Sequence, residues 1–425
     1  MKIAITTVGS RGDLQPFISL GLGLKNEGYD VLLISSKNEE DFVRNYGLDL
    51  YALDVDIQEL MEGNSNVQEM TKGNSPLKFI TTHLKGSKNL KKLMVKTQGE
   101  IWTASQDADL IVFHPGIPIG YFIAQVSNKK SVLLNPFPVV ATKDYPSILF
   151  YTLPRFGKGF NSLTHFIFYK VFWALAKSAI EEFWNENIGK KADFSTSPII
   201  QQIRSGRPVI NAYSPLVFQP AREWGKNIQT VGSLTIENES NFTPAKELVD
   251  FIKAGEAPIF IGFGSMKDIN SFTQTFNILS EAVSKTKQRA VIGLGWTKNS
   301  FSGVIPENLF LIENIPFTWL FPQMKLVVHH GGAGTTAAGL IAGKPTIIIP
   351  HIADQPAWGL RIYELGVGSR PITKKNLSSD KLSKAILFAL QPKITEAANQ
   401  LGQSMRKENG NRKAVEIINK YMNDK

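Results

Sequence analysis

No cysteine occurs anywhere in the 425 residues, which excludes disulfides, zinc–thiolate sites and thiol nucleophiles. Long apolar runs are also missing: no stretch reaches the roughly 18 residues that a bilayer-spanning helix requires. Met1–Val8 is one lysine followed by a short strand pattern, not the layout of a secretion signal, so a cytoplasmic location is the expectation. Internal repeats and low-complexity tracts are absent. Acid is lacking in one place. From Lys72 to Lys96 there are seven lysines and no Asp or Glu, with Leu84, Leu90, Leu93, Met94 and Val95 interleaved. Two readings stand for that segment, a solvated helix face or a peripheral contact with the anionic inner face of a membrane. Nucleic acid is disfavoured as a partner, since no recognised nucleic-acid motif accompanies the net charge of +10.

What is present is an ordinary globular composition, 43% hydrophobic and 20% charged, in a chain too long for one compact core. Short apolar strand patterns alternate with helical ones. The first half reads as strands at Lys2–Thr7, Val31–Ser35, Leu110–Phe113, Val132–Leu134 and Pro208–Ala212, with a helix at Leu14–Asn26. The second half repeats the scheme, with strands at Ile259–Phe263, Ala290–Leu294, Leu309–Ile312, Leu326–Val328 and Thr346–Ile349. The pattern predicts an α/β chain of two Rossmann-like domains whose parallel sheets face a cleft, with ligands beyond the carboxyl ends of the strands. The domains are placed at 1–215 and 233–400. A linker at 216–232 joins them, where Pro220 and Gly225 interrupt any regular pattern, and a last helix occupies 401–425.

The most informative stretch is His329-His330-Gly331-Gly332-Ala333-Gly334-Thr335-Thr336. It follows a strand and opens a small-residue helix predicted over Thr335–Ala342, without being a GxxxxGK(S/T) loop or a GxGxxG fingerprint. Backbone amides at a glycine-rich helix start, reinforced by the helix dipole, form a site for a diphosphate, to which His330 can add a hydrogen bond. The bland alternative is a tight turn with two incidental histidines. Three further motifs fall at the same end of their strands: Gly9-Ser10-Arg11-Gly12-Asp13-Leu14-Gln15-Pro16, Ile259 to Met266, and Pro350-His351-Ile352-Ala353-Asp354-Gln355-Pro356-Ala357-Trp358-Gly359. Asp13 fits two roles there, a helix N-cap or the proton acceptor for a substrate hydroxyl. Asp354 and Gln355, adjacent in sequence, can grip vicinal hydroxyls or cap the helix that follows.

In this order and at these distances the four motifs resemble family 1 glycosyltransferases of the GT-B fold, nearest to the branch of sterol and glycopeptide-antibiotic glycosyltransferases. The resemblance runs over nearly the whole chain. It implies an acceptor-binding first domain, a second domain that holds the nucleotide sugar, and a terminal helix that returns to the first domain. The implied activity is inverting transfer of a hexose, glucose from UDP-glucose, to a hydroxyl of a hydrophobic acceptor such as a sterol, lipid or polyphenol. It assigns Asp13 as general base within the loop of Ser10, Arg11 and Gly12. Ser265, His330, Gly332, Ala333, Gly334 and Thr335 hold the diphosphate, and Asp354 and Gln355 hold the donor sugar's 3- and 4-hydroxyls. Trp296, Asn314 and Ile315 sit where the nucleotide base belongs, while Phe137, Tyr145, Phe172 and Trp173 are the acceptor-side candidates.

Departures from the pattern matter. The loop histidine of plant and animal relatives is missing, and His114 either serves the same cleft or is a strand-end histidine satisfied by main chain. Ala338 stands where those relatives carry a ribose-binding glutamate, so a dTDP-sugar stays open as the donor. The acidic pairs Asp54-Val55-Asp56 and Asp107-Ala108-Asp109 lie away from the glycine-rich turn and read as surface, so no metal and no cofactor is expected. Two rivals remain, a sugar-nucleotide epimerase or hydrolase of the same fold and a non-catalytic sugar-nucleotide-binding protein.

Overall fold

The computed structural model describes residues 1–9, 11–55, 88–236, 242–262, 269–294, 304–313 and 315–424, with backbone alone at residues 11, 88–89 and 269–272. The chain forms two compact units, the first built from the residues up to Ile236 together with Glu408 onward, the second from the residues between them.

In the first unit, β1 (Lys2–Thr6), β2 (Asp30–Ser36), β3 (Asp49–Leu53), β4 (Leu110–Phe113), β5 (Lys130–Asn135), β6 (Val209–Asn211) and β7 (Ile228–Thr230) form a parallel sheet in the order β3-β2-β1-β4-β5-β6-β7. In the second, β8 (Ile259–Gly262), β9 (Ala290–Gly293), β10 (Leu309–Ile312), β11 (Leu326–His329) and β12 (Thr346–Ile348) run parallel as β10-β9-β8-β11-β12. The central strands are uninterrupted apolar runs because helices cover both of their faces: Ile3, Ile5, Leu110–Phe113, Ile259, Ile261 and Leu326–Val328 are all fully buried. The expectation of two parallel sheets is met.

Three local expectations are corrected. Asp49–Leu53 was not foreseen as a strand; its apolar run is only the four residues Leu50–Leu53, set between Asp49 and Asp54 and partly exposed at Tyr51 and Ala52. The stretch expected as a linker contributes β7, a three-residue edge strand paired with β6, too short and too exposed to show a period. The single terminal helix is two, Pro392–Met405 and Gly410–Asn423, broken where Asn409 adopts a left-handed φ of 52°. The second of these packs on the helix Arg11–Asn26: Asn411 donates to the Ser19 carbonyl at 2.7 Å, and Ala414, Val415 and Ile418 join that core.

In each sheet the strand order reverses beside the first strand, between β1 and β4 and between β8 and β11. The loops leaving the carboxyl ends at these two switch points are where a doubly wound sheet leaves room for a ligand.

Candidate active site

In the first unit, Gly9 leads from β1 into the helix Arg11–Asn26, which begins three residues earlier than the sequence pattern indicated. Asp13 is therefore inside the first turn and not the N-cap. Its carboxylate folds back over Gly9, where a Cβ would lie 2.6 Å from Oδ2, so the loop tolerates no side chain at that position. An acid in the first turn also favours the helix dipole. Gly12 is half-buried beside it; Ser10 lies outside the described residues, and of Arg11 only the backbone is described.

His114 follows β4, whose Phe113 pairs with Thr6 of β1, so it rises from the strand next to the one that carries Asp13. The Gly116 amide donates to its Nδ1 at 3.0 Å, which leaves the proton of the neutral ring on Nε2. Nε2 is buried and has no hydrogen-bond partner among the described residues. The edges of Phe17 and Phe137 close on the ring, at centroid distances of 5.6 and 5.8 Å. Burial pushes the His114 pKa down to about 3, so the ring is a neutral donor. Main chain thus satisfies one nitrogen of this histidine, as the strand-end reading expects, while the ring packs beside Phe17 and Phe137.

In the second unit, the glycine-rich turn leaves β11. Gly331 has a φ of 95°, and a Cβ there would meet Ile348 at 2.7 Å and the Gln355 carbonyl at 3.2 Å. Its amide donates to His329 Nδ1 at 3.0 Å, which fixes the bend. Gly332 is the N-cap of the helix Ala333–Ile341, which starts two residues before the predicted position. The amides of Ala333, Gly334 and Thr335 are thus first-turn donors with no carbonyl behind them in the helix. The His330 ring lies over Gly332, so close that a Cβ there would stand 2.7 Å from Nε2. Its Nδ1 is buried and has no partner among the described residues, and burial lowers its pKa to about 4.

Gln355 packs directly behind this turn, and Asp354 precedes it in the chain. Gln355 Oε1 accepts from the amides of His351 and Ile352, at 2.8 and 3.1 Å, so its carboxamide locks the loop. Asp354 occupies the N-cap of the helix Gln355–Glu364 without a side-chain capping bond; Oδ2 instead accepts from the Trp358 indole N–H at 2.8 Å. Ala353 precedes it at a φ of 53°, a left-handed conformation that costs a residue with a Cβ about 1–2 kcal/mol. Strain retained beside an oriented carboxylate is characteristic of binding sites.

The remaining candidates scatter. Ile315 packs on the apolar cluster around Phe260 and Phe321. Tyr145 sits among Tyr151, His165 and Phe218. Phe172 stacks on Phe168 at 4.9 Å. Trp173 is buried against Phe122 with its indole N–H given to the Phe194 carbonyl, which makes it core. Ser265, Trp296 and Asn314 lie outside the described residues. So does most of the lysine-rich segment; in its described part Lys91 pairs with Glu182 and Lys96 with Asp54, acids of the protein itself. Sequence reasoning missed Trp358 and the role of His329. The four-residue spacing of Asp354 and Trp358 at a helix start is the signal that finds the first.

Residues 3–106 match the glycosyltransferase family 28 N-terminal domain, and residues 277–421 match the erythromycin biosynthesis protein CIII-like C-terminal domain. A sterol 3-beta-glucosyltransferase of Arabidopsis thaliana is 33% identical across 99% of this chain and 68% of its own length. Another, of Aspergillus oryzae, is 31% identical across 98% of the chain, which spans only 30% of that longer protein. Among solved structures, the glycotransferase of kitacinnamycin shares the fold, with a TM-score of 0.72 at 16% identity over 99% of this chain and 98% of its own.

Proposed function

The chain belongs to the sterol 3-beta-glucosyltransferase family, glycosyltransferases of the GT-B fold, and from that premise we propose that it moves glucose from UDP-glucose to the hydroxyl of a hydrophobic acceptor, with inversion and without a metal. One observation supports this most: a glycine turn at the switch point of the second sheet presents three first-turn amides and a buried histidine nitrogen that has no partner among the described residues. Charge grows on the leaving diphosphate as the glycosidic bond breaks. Fixed dipoles in a dry site stabilise that charge without reorganising, and these donors take the part that a divalent cation plays in other transferases. His330 acts as a neutral N–H donor, since burial holds its pKa far below neutrality. Asp354, aimed by Trp358, takes sugar hydroxyls together with Gln355. Asp13 removes the acceptor's proton, with the His114 ring beside Phe17 and Phe137. A single in-line attack inverts the anomeric carbon and requires no enzyme nucleophile.

The test is UDP release from UDP-glucose with and without pooled sterols and other lipophilic alcohols, read together with the mass of the product. Release that depends on the acceptor, with a hexosylated alcohol, is the expected result. Equal release without any alcohol replaces the reading with a hydrolase. A second prediction concerns the turn itself. Gly332→Ala drives a methyl group into the His330 ring and is expected to weaken UDP binding about tenfold, by calorimetry, with a melting temperature close to that of the parent. Unchanged UDP affinity removes His330 from the diphosphate site.

A further inference from the structure

The segment from Leu153 into the helix Lys158–Asn187 exposes large apolar side chains that the transferase reading does not use. Phe156 is 69% exposed, Phe166 58%, Leu163 51% and Leu153 37%. Phe160 lies edge-on to Phe156 at 5.1 Å, which joins the loop residues to those of the helix. Leu163, Phe166 and Lys170 follow at intervals of three and four, so they share one helix face. A contiguous apolar patch of this kind on a globular surface marks an interaction site.

The outward direction of this face is fixed by the other one. The Tyr169 hydroxyl accepts from the Ala141 amide at 2.8 Å and donates to the Val139 carbonyl at 3.0 Å. Thr164 Oγ1 accepts from the Ser147 amide at 2.9 Å, and Asn161 donates to the Lys143 carbonyl at 2.8 Å. Phe168, Tyr169 and Trp173 are buried. The helix cannot roll to hide Phe166 without breaking these bonds.

Charge selects the occupant. From Tyr145 to Ile180 the sequence holds Arg155, Lys158, Lys170 and Lys177 and no acid. Lys170 lies 5.7 Å from the Phe166 ring centre, and Lys158 opens the helix between Phe156 and Phe160. Aromatic and leucine side chains with cations beside them match the boundary between headgroups and acyl chains of an anionic bilayer.

We propose that Leu153, Phe156, Phe160, Leu163 and Phe166 insert into the surface of an anionic membrane while Lys158 and Lys170 engage its headgroups. The proposal is independent of the transferase reading, because docking is measured without donor or acceptor. The experiment is co-sedimentation of the full chain with vesicles of phosphatidylcholine alone and with about one third phosphatidylglycerol. The full chain is expected to pellet with the anionic vesicles, less so as salt rises. The combined variant Phe156→Ser, Leu163→Ser, Phe166→Ser is expected to lower the partition coefficient at least about tenfold at an unchanged melting temperature. Lys158→Glu with Lys170→Glu, which leaves the apolar residues in place, is expected to abolish the preference for anionic vesicles. Phe166→Trp supplies a second readout, a blue-shifted emission on vesicle addition, should the triple variant fail to fold. The proposal is overturned by a parent chain that stays in the supernatant with both vesicle types. It also fails if the triple variant pellets as the parent does, if the patch instead holds two copies of the chain together, or if it alters acceptor affinity without changing vesicle binding.

Discussion

Asp13→Asn is expected to lower the turnover of glycosyl transfer about a thousandfold, with UDP affinity within about twofold of the parent. A positioned base contributes two to four orders of magnitude, and the amide has the carboxylate's shape but no basic lone pair. The substitution is mild for the fold. Asp13 stands in the first turn of the helix Arg11–Asn26, where exchanging its charge for a dipole costs about 0.5 kcal/mol. Its side chain rests on Gly9, and an isosteric residue keeps that contact. UDP binding should survive because the amides of Ala333–Thr335 and His330 belong to the other unit. The measurement is single-turnover transfer beside UDP calorimetry. Retention of more than a tenth of the parent rate removes Asp13 from the base role.

Acid is expected to destabilise the protein steeply below pH 6. Burial holds five histidines neutral, His114 and His351 with pKa values lowered to about 3, His165 and His330 to about 4, and His329 well below its usual range. His351 is lowered further by His330 and Lys374. The sign follows from proton counting. Between pH 6.5 and 4 the unfolded chain binds protons that the folded chain refuses, so the stability of the neutral rings is full above pH 6.5 and lost as pH falls toward the folded values. Each ring accounts for about 1.4 kcal/mol per pH unit in that window, and five together for about 7 kcal/mol per unit. A net folding stability of about 5–15 kcal/mol is exhausted within about one to two units of such a loss. Calorimetric melting temperatures should be flat from pH 8 to 6.5 and fall sharply below 6. His329 and His351 lie in the second unit, as does His330, so that unit is expected to melt first and the endotherm to split. A melting temperature unchanged between pH 7 and 4.5 contradicts the buried, neutral assignment.

Features carried by residue type were legible before the structure. Ile3–Ile5, Leu110–Phe113 and Leu326–Val328 are apolar without interruption, and only a strand covered on both faces accounts for that. The turn at Gly331 and Gly332 was legible because glycine alone permits the φ of 95° at the first and the overlying His330 ring at the second. What stayed hidden depends on tertiary partners. Nothing about an alanine announces the left-handed conformation of Ala353, and the hold of Trp358 on Asp354 appears only once the helix start is placed. Trp173 and Phe166 have similar character in a sequence that is aromatic on several sides, yet one is buried under Phe122 and the other faces solvent. β7 was invisible because an edge strand three residues long has no period.

The return of Gly410–Asn423 to the helix Arg11–Asn26 couples the beginning of the chain to its far end. Gly23 can carry no side chain because Asn411 and Val415 occupy the space, and Lys130 reaches the carbonyls of Tyr421 and Met422. The apolar side chains of Arg11–Asn26 are therefore made long before Ala414, Val415 and Ile418, which complete their core. Asn411 is synthesised 392 residues after Ser19, so this part of the core can close only late in synthesis.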